Sequence, residues 1–531
     1  MKKILFPTFI ALAIIVGILI GNFYAAKILK VCPFTQQTGN NKLSELLYLI
    51  DQAYVDTIDI DSLTDIAVTT LVSQLDPHSS YIPAKDLAAV NEQLEGSFSG
   101  IGVQFNIQND TIFIVDVISG GPSEKAGILP DDRIISVNDS NFVGKTINNE
   151  KVMKTLRGIK GTTVKLGIAR RTTAETLYFD IIRDDIPIKS VDVAYMITPQ
   201  IGYILVNKFA ANTYQEFLNA LAQLKQANVS KLIVDLRGNS GGYMDAAINM
   251  INEFLPKDAL IVYIEGKSYP KTPSYANGTG SFQGIKLAVL IDEFSGSASE
   301  IFAGAIQDND RGTIIGRRSF GKGLVQQQFA FKDQSALRLT IARYHTPSGR
   351  CIQKPYTRGD SEDYEEDIWK RFMHGEFFSQ DSIRQNDTIA YKTLGGRPVF
   401  GGGGIMPDIF VARDTTGITP YFNQLVNKNC MYKFALNYTE KHREQLSTYK
   451  DWKALEQYLL NQNLFPQIIA FGVQQGVKDS PQKIKSHDLI TQQVNAYIIR
   501  NILHDDGFFP LLNKYDKTVK KAIEELNKTG K

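Results

Sequence analysis

Cysteine is scarce in this chain: Cys32, Cys351 and Cys430 are the only three in 531 residues, and none sits in a C-x-x-C pair. That excludes a disulfide-built scaffold and a structural zinc knuckle, and leaves room for a single disulfide at most. Charge imbalance is lacking too. With 58 Lys and Arg against 56 Asp and Glu, bulk electrostatics give no reason to expect nucleic acid as a partner. The six histidines form no H-E-x-x-H, and no G-x-S-x-G elbow occurs, which removes two common hydrolase signatures. No cofactor or metal is expected. Long apolar runs are confined to the N-terminus, so the chain is not a multispanning membrane protein. What is present is the composition of a folded protein, 43% hydrophobic and 21% charged, long enough for about three or four domains.

The one apolar run, Ile4 to Ile20, follows Lys2 and Lys3 and contains no charge. At about 1.5 Å per residue it just spans a bilayer core of about 30 Å. The leading lysines would stay in the cytoplasm, so the rest of the chain is expected outside it. No A-x-A cleavage site follows the run, which favours an uncleaved inner-membrane anchor over a signal peptide removed on secretion to the periplasm.

Helical spacing follows at Leu43, Leu46, Leu47, Ile50 and Tyr54, and again from Leu63 to Leu71, before the turn Leu75-Asp76-Pro77-His78-Ser79-Ser80-Tyr81. From Gly96 the pattern becomes glycine-punctuated alternation over about 90 residues, a small β-rich module. From Ile201 strands such as IGYILV, KLIVDL and KLAVLI alternate with helical stretches, which predicts a sheet covered by helices. The segment Tyr356 to Asp367 is acidic, with Asp360, Glu362, Asp363, Glu365, Glu366 and Asp367, and reads as a solvated surface loop. Near the C-terminus, stripes at Ile490, Val494, Tyr497 and Ile498 and at Val519, Ala522, Ile523 and Leu526 predict helices that pack within the molecule.

Three stretches could carry chemistry, each where a strand ends. KLIVDLRGNSGG runs into Gly241 and Gly242, a tight turn whose backbone N–H groups could receive an oxyanion. LAVLIDEFSGSASE places Ser295, Ser297 and Ser299 before a helix, where a serine reads either as an N-cap or as a nucleophile beside helix N–H groups. GRRSFGKG, Gly316 to Gly323, is one residue from a phosphate-binding loop. It lacks the hydroxyl that would hold Mg²⁺, and the LVQQQFAF that follows reads as a strand rather than a helix. A desolvated lysine there would instead have a lowered pKa and could serve as a base. Of the histidines, His345 alone lies near the predicted core strands, and it reads as structural.

Together these segments resemble the C-terminal processing peptidases, or tail-specific proteases: serine peptidases with a catalytic lysine and an inserted PDZ domain. The resemblance spans roughly residues 40 to 410. Its motifs fall in the family's order: LDPHSSY, GSFSGIGV, GPSEKAGI, DLRGNSGG, SGSASEI, GRRSFGKGLVQ, HTPSGRCIQ and GGGGIMPDI. The stretch between the last two looks like the form found in Bacteroidetes-type bacteria. The resemblance implies an α/β (α+β) multidomain chain with a mixed-sheet ClpP/crotonase-like core. Its parts would be a cytoplasmic stub and membrane segment at 1–30, a helical region at 31–95, a PDZ domain at 96–185, a protease core at 186–412 with an acidic insertion at about 356–395, and a helical C-terminal region at 413–531.

By the same resemblance Ser297 is the nucleophile and Lys322, 25 positions later, the general base, oriented by Gln326. The oxyanion hole combines the N–H of Ala298 with that of Gly241 or Gly242. Gly296 and Ser240 stand where the family often has Ala and Pro. Gly100, Ile101, Gly102 and Val103 resemble a PDZ carboxylate loop, which captures the C-terminus of a peptide added to a sheet edge. The implied partners are exported protein or peptide substrates with free C-terminal tails, with a homodimer and an adaptor or lipoprotein as further candidates. A non-catalytic PDZ-type envelope scaffold and an ATP-handling P-loop protein are the competing readings.

Overall fold

The computed structural model describes residues 16–17, 42–108, 110–118, 120–384 and 390–528. Most of the apolar run Ile4–Ile20, and Cys32, lie outside them. Among the described residues no helix is long and apolar enough to cross a membrane. The chain divides into two compact units, Met1–Val68 and Thr69–Lys531. In the first, helix Lys42–Ala53 has no buried residue.

The second unit is built around a six-stranded sheet in the order Val191–Met196, Ile201–Val206, Lys231–Asp235, Lys286–Ile291, Thr313–Gly316 and Ile409–Phe410. Its first pair is antiparallel and the rest are parallel. Parallel strands need crossover connections, which helices supply. These strands are apolar on both faces because both faces are covered. Leu232, Val234, Leu287, Val289 and Ile291 face helices Thr213–Gln226, Met244–Asn252 and Ala298–Asp308. Ile233, Ala288, Leu290 and Ile315 face the other way, onto Val519, Ala522 and Leu526 of the last helix, Lys517–Asn527. That C-terminal stripe therefore packs within the molecule, as do Ile490, Val494 and Ile498 in the cluster formed by the helices after Pro420.

A second, antiparallel sheet joins Ser80–Ile82, Ala336–His345, Leu260–Gly266 and Tyr269–Tyr275, with Leu324–Ala330 also paired to Ala336–His345. The stretch Lys322 leads into is thus a strand. The β-rich module is a separate antiparallel sheet, with Val103–Gln108 at its edge followed by Thr111–Val117, Arg133–Val137, Thr163–Ala169 and Thr176–Ile182. The chain enters and leaves this module side by side, Ser97–Gly100 pairing with Asp184–Pro187. That ribbon is what allows a complete domain to interrupt another fold.

The acidic segment is not a loop. Ser361–Met373 is a helix, capped by the Asp360 carboxylate accepting the Asp363 N–H at 3.0 Å. Its carboxylates at 362, 363, 365 and 366 are exposed, but Tyr364 and Arg371, seven positions apart, are buried. Counting charges misread it because the two residues that define its inward face are an aromatic and a base.

Candidate active site

Ser297 occupies the N-cap of helix Ala298–Asp308 with φ 53° and ψ −113°, a left-handed backbone rarely adopted by residues with a side chain. Neighbouring loops hold it there. Ser295 Oγ donates to Leu236 O at 2.8 Å, Gly296 N–H to Asn239 O at 3.0 Å, and Ser299 Oγ to Asn239 O at 2.8 Å. Asp292 accepts the Gly238 N–H at 2.9 Å. The turn Gly238–Gly242 is thereby laced to the Ser297 loop. At Gly241, φ is +106°, and a β-carbon would lie 2.7 Å from Ser297 Cβ and 2.9 Å from Ala298 N, so only glycine lets the two loops approach this closely.

Among the described residues, the N–H groups of Ala298 and Gly242 have no hydrogen-bond partner. The Gly241 N–H is different, because it donates to Asn239 Oδ1 at 2.9 Å. Of the three expected oxyanion donors, Ala298 and Gly242 are therefore open, and Gly241 shapes the turn instead.

Lys322 lies in the loop between strands Thr313–Gly316 and Leu324–Ala330. A single carboxylate joins it to Ser297. Glu300, fully buried, accepts from Ser297 N–H at 2.9 Å, Ser319 Oγ at 2.5 Å, Gly321 N–H at 2.7 Å and Lys322 N–H at 2.8 Å. The buried Tyr344 hydroxyl adds a second tie, to the carbonyls of Ser297, at 3.1 Å, and Lys322. The near-match to a phosphate loop fails here, since the amides of Gly321 and Lys322 point at a carboxylate. Sequence reading missed Glu300, although Ser297-x-x-Glu300 has the form of a capping box. Its reach to Lys322 had no local signal.

Ser297, Lys322, Gln326, Gly241 and Gly242 line one cleft of about 1790 Å³, together with His78 and Arg338. The Lys322 amine makes no ion pair among the described residues. Burial lowers its pKa from the ordinary lysine value, with help from Arg338, against the opposing pull of Glu300 and Asp76. Burial raises the Glu300 pKa, opposed by its hydrogen bonds. Gln326 does not bond the lysine: its amide donates to Leu324 O at 3.2 Å and reaches Thr340 Oγ1 at 3.5 Å. It sits on a strand, where residues four apart do not stack as they would on a helix.

The histidine at this site is His78, not His345. His345 stacks on Tyr263 with centroids 4.6 Å apart, whereas His78 reaches the Tyr364 hydroxyl through Nε2 at 2.9 Å. Burial first, and then the charge of Lys322, push the His78 pKa down to about 4, so it is neutral near pH 7. Asp76 orders this turn by accepting from Ser79 Oγ at 2.6 Å and Thr340 Oγ1 at 3.0 Å.

In the β-rich module, the carbonyls of Ile101 and Gly102 accept from Ser123 and Ile118 at 3.0 Å each. The amides of both have no partner among the described residues. Gly102 has φ +76°, and Val103 opens the edge strand. The loop thus offers free donors beside an unpaired strand edge.

Comparison with known proteins agrees with these two regions. Residues 200–363 match peptidase family S41 and residues 99–181 match the PDZ domain, while residues 421–504 match a family of unknown function. The carboxy-terminal processing protease CtpB of Bacillus subtilis is 33% identical over 317 residues, 59% of this chain and 65% of that protein. A probable CtpA-like serine protease of Staphylococcus aureus is 33% identical over 320 residues, 60% of this chain and 63% of that protein. The chain thus spans a little under two thirds of the length of these relatives. Among solved structures, the photosystem II D1 C-terminal processing protease matches at 26% identity and TM-score 0.33, over 58% of this chain and 88% of that one.

Proposed function

We propose that this chain, which joins a peptidase family S41 domain to a PDZ domain, is a serine endopeptidase that cleaves proteins after engaging their free C-terminal tails. The observation that carries this is the Glu300 carboxylate, which holds the backbones of Ser297 and Lys322 in one cleft. Neutral Lys322 takes the Ser297 hydroxyl proton as Oγ attacks the scissile carbonyl, and the oxyanion is received by the N–H groups of Ala298 and Gly242. The lysine then protonates the leaving amine, and water hydrolyses the acyl-enzyme.

Tail capture falls to the open amides of Ile101 and Gly102, with the peptide added along the edge strand from Val103. The parallel sheet with its nucleophile at a helix N-terminus is read as a ClpP/crotonase-like core. The run Ile4–Ile20 is read as an inner-membrane anchor that leaves the catalytic part in the periplasm, where exported proteins would be its substrates.

The test uses the chain from Cys32 onward, intact and as Ser297→Ala, with an unstructured protein carrying an apolar C-terminal tail and with a copy amidated at that tail. Mass spectrometry maps the products. The expected result is cleavage of the free-tailed copy by the intact enzyme alone. Equal cleavage of both copies would remove tail reading. Tail binding without cleavage by either protein would favour a binding scaffold.

A further inference from the structure

We propose that the acidic insertion helix Ser361–Met373 is a strap that positions the Lys322 loop and keeps water from it, with Tyr364 and Arg371 as positioning residues of the base. This inference rests on the serine–lysine reading of the site.

The strap holds the loop at both ends. The buried Arg371 guanidinium donates to Ser319 O at 3.0 Å and Arg318 O at 2.8 Å, and its Nε donates to Glu376 at 2.8 Å, which also pairs with Arg318 at 2.6 Å. Two cations on one buried carboxylate are stable only as a complete set, because removing one partner strands the others. At the far end, the Tyr364 hydroxyl contacts His78 Nε2 at 2.9 Å and Gln353 Nε2 at 3.3 Å, and Gln353 Oε1 accepts the Gly323 N–H at 2.8 Å. Lys354 Nζ donates to Tyr364 O at 2.9 Å and to Asp367 at 3.0 Å, and lies 4.2 Å from the Phe320 ring centroid and 4.0 Å from that of Tyr364. Residues 318–323 are therefore gripped by Glu300 on one side and by the strap on the other.

A lysine works as a base only while its amine stays dry enough to lose its proton near the working pH. The charged and titratable groups facing the amine are Glu300 from the nucleophile helix, Asp76 and His78 from the turn, and Arg338 from the antiparallel sheet. Of these, His78 is held directly by the strap. Because the strap reaches the amine only through His78, loosening it would free the imidazole and open that side of the amine to water, which favours the ammonium form.

The experiment uses the full chain with Tyr364→Phe, which keeps the ring and removes the hydroxyl, and with Arg371→Lys. Turnover of a short quenched peptide is measured against pH. Acetylation of Lys322 by acetic anhydride is measured against pH by mass spectrometry in the Ser297→Ala background, a readout that needs no turnover. The expected result for Tyr364→Phe is a kcat lower by about tenfold, an unchanged KM, and an acid limb displaced upward by about half a pH unit or more. The acetylation midpoint should move with it. An acetylation midpoint that stays in place in both variants overturns the strap, as does a rate loss with an unmoved pH limb, which a merely structural role would give. If the acetylation midpoint moves but the parent enzyme does not cleave, the serine–lysine reading fails and the strap stands.

Discussion

The two walls of the cleft are built differently. On the catalytic wall Glu300 is fully buried and accepts four hydrogen bonds, and Arg371 and Glu376 are almost as deeply enclosed. On the other side, Asp116 of the PDZ module lines the cleft 3.6 Å from His504 of the C-terminal helices, and beyond the cleft Arg443 pairs with Asp131 at 2.9 Å, contacts that are only partly shielded from water. Buried networks lose several kcal/mol when one member goes, whereas exposed pairs contribute about 0–1 kcal/mol each. The fold thus fixes the groups around Ser297 and Lys322 firmly and ties the PDZ module to the C-terminal helices by contacts that cost little to break. One local exception lies on the soft side, where helix His487–Tyr515 breaks at His504 with φ 52°.

The contrast breaks most directly at Glu300. Glu300→Gln keeps the shape but turns an NH2 toward groups that are themselves donors, so at least one buried polar contact is lost at about 1–3 kcal/mol. Turnover should fall to near zero and the melting temperature should drop. A variant that melts and cleaves like the parent would show that the catalytic wall is no more rigid than the other.

Gly241→Ala should come next. Its β-carbon would meet Ser297 Cβ and Gly296 O at 2.7 Å each, and the left-handed backbone costs a further ~1–2 kcal/mol. Because the strain falls on the approach of the two loops, kcat should drop by about a hundredfold with KM nearly unchanged. A pure KM effect would move Gly241 from the reacting geometry to substrate binding.

How far the sequence reached follows from the same contrast. The turn at Gly241 and Gly242 and the small residues around Ser297 were legible as a local pattern, a strand running into a turn before a helix, whereas the roles expected of Ser297 and Lys322 came from the resemblance to a known family, and Lys322 precedes a strand. Glu300 stood inside that pattern, yet its contacts to Ser319, Gly321 and Lys322 join segments about 20 residues apart, and only the folded chain brings them together. His78 is further still from Lys322 in sequence, and although its turn LDPHSSY is one of the motifs that carry the resemblance, no local pattern predicts that His78 faces Lys322. The acidic insertion was misread because charge density describes its outer face, while Tyr364 and Arg371 decide where it docks. The β-rich module was legible from its turn glycines, but which loop amides find no acceptor among the described residues depends on where the fold places neighbouring carbonyls.

A smaller effect should appear on acidification. His78 titrates at about 4 in the folded chain against an ordinary 6.5, so the unfolded chain binds its proton first. Its contribution is complete above about pH 6.5 and is lost as the pH falls toward 4. Chemical denaturation at several pH values should show this slope, and His78→Gln should flatten it. An unchanged slope would mean that the imidazole is hydrated, and that the catalytic wall is wetter there than the rest of it.

The smallest effect belongs to the soft wall. Arg443→Ala removes a pair whose side chains are both about one third exposed, so stability should change by no more than about 1 kcal/mol. Cleavage of a short peptide that does not need the PDZ module should be unaffected. What should change is the ratio of free-tailed to amidated substrate turnover, by a few-fold, because the pair restrains the module and not the chemistry. If Arg443→Ala instead lowers short-peptide turnover as much as Gly241→Ala does, the two walls are mechanically one body. The division between a fixed reacting centre and an adjustable reader would then have to be abandoned.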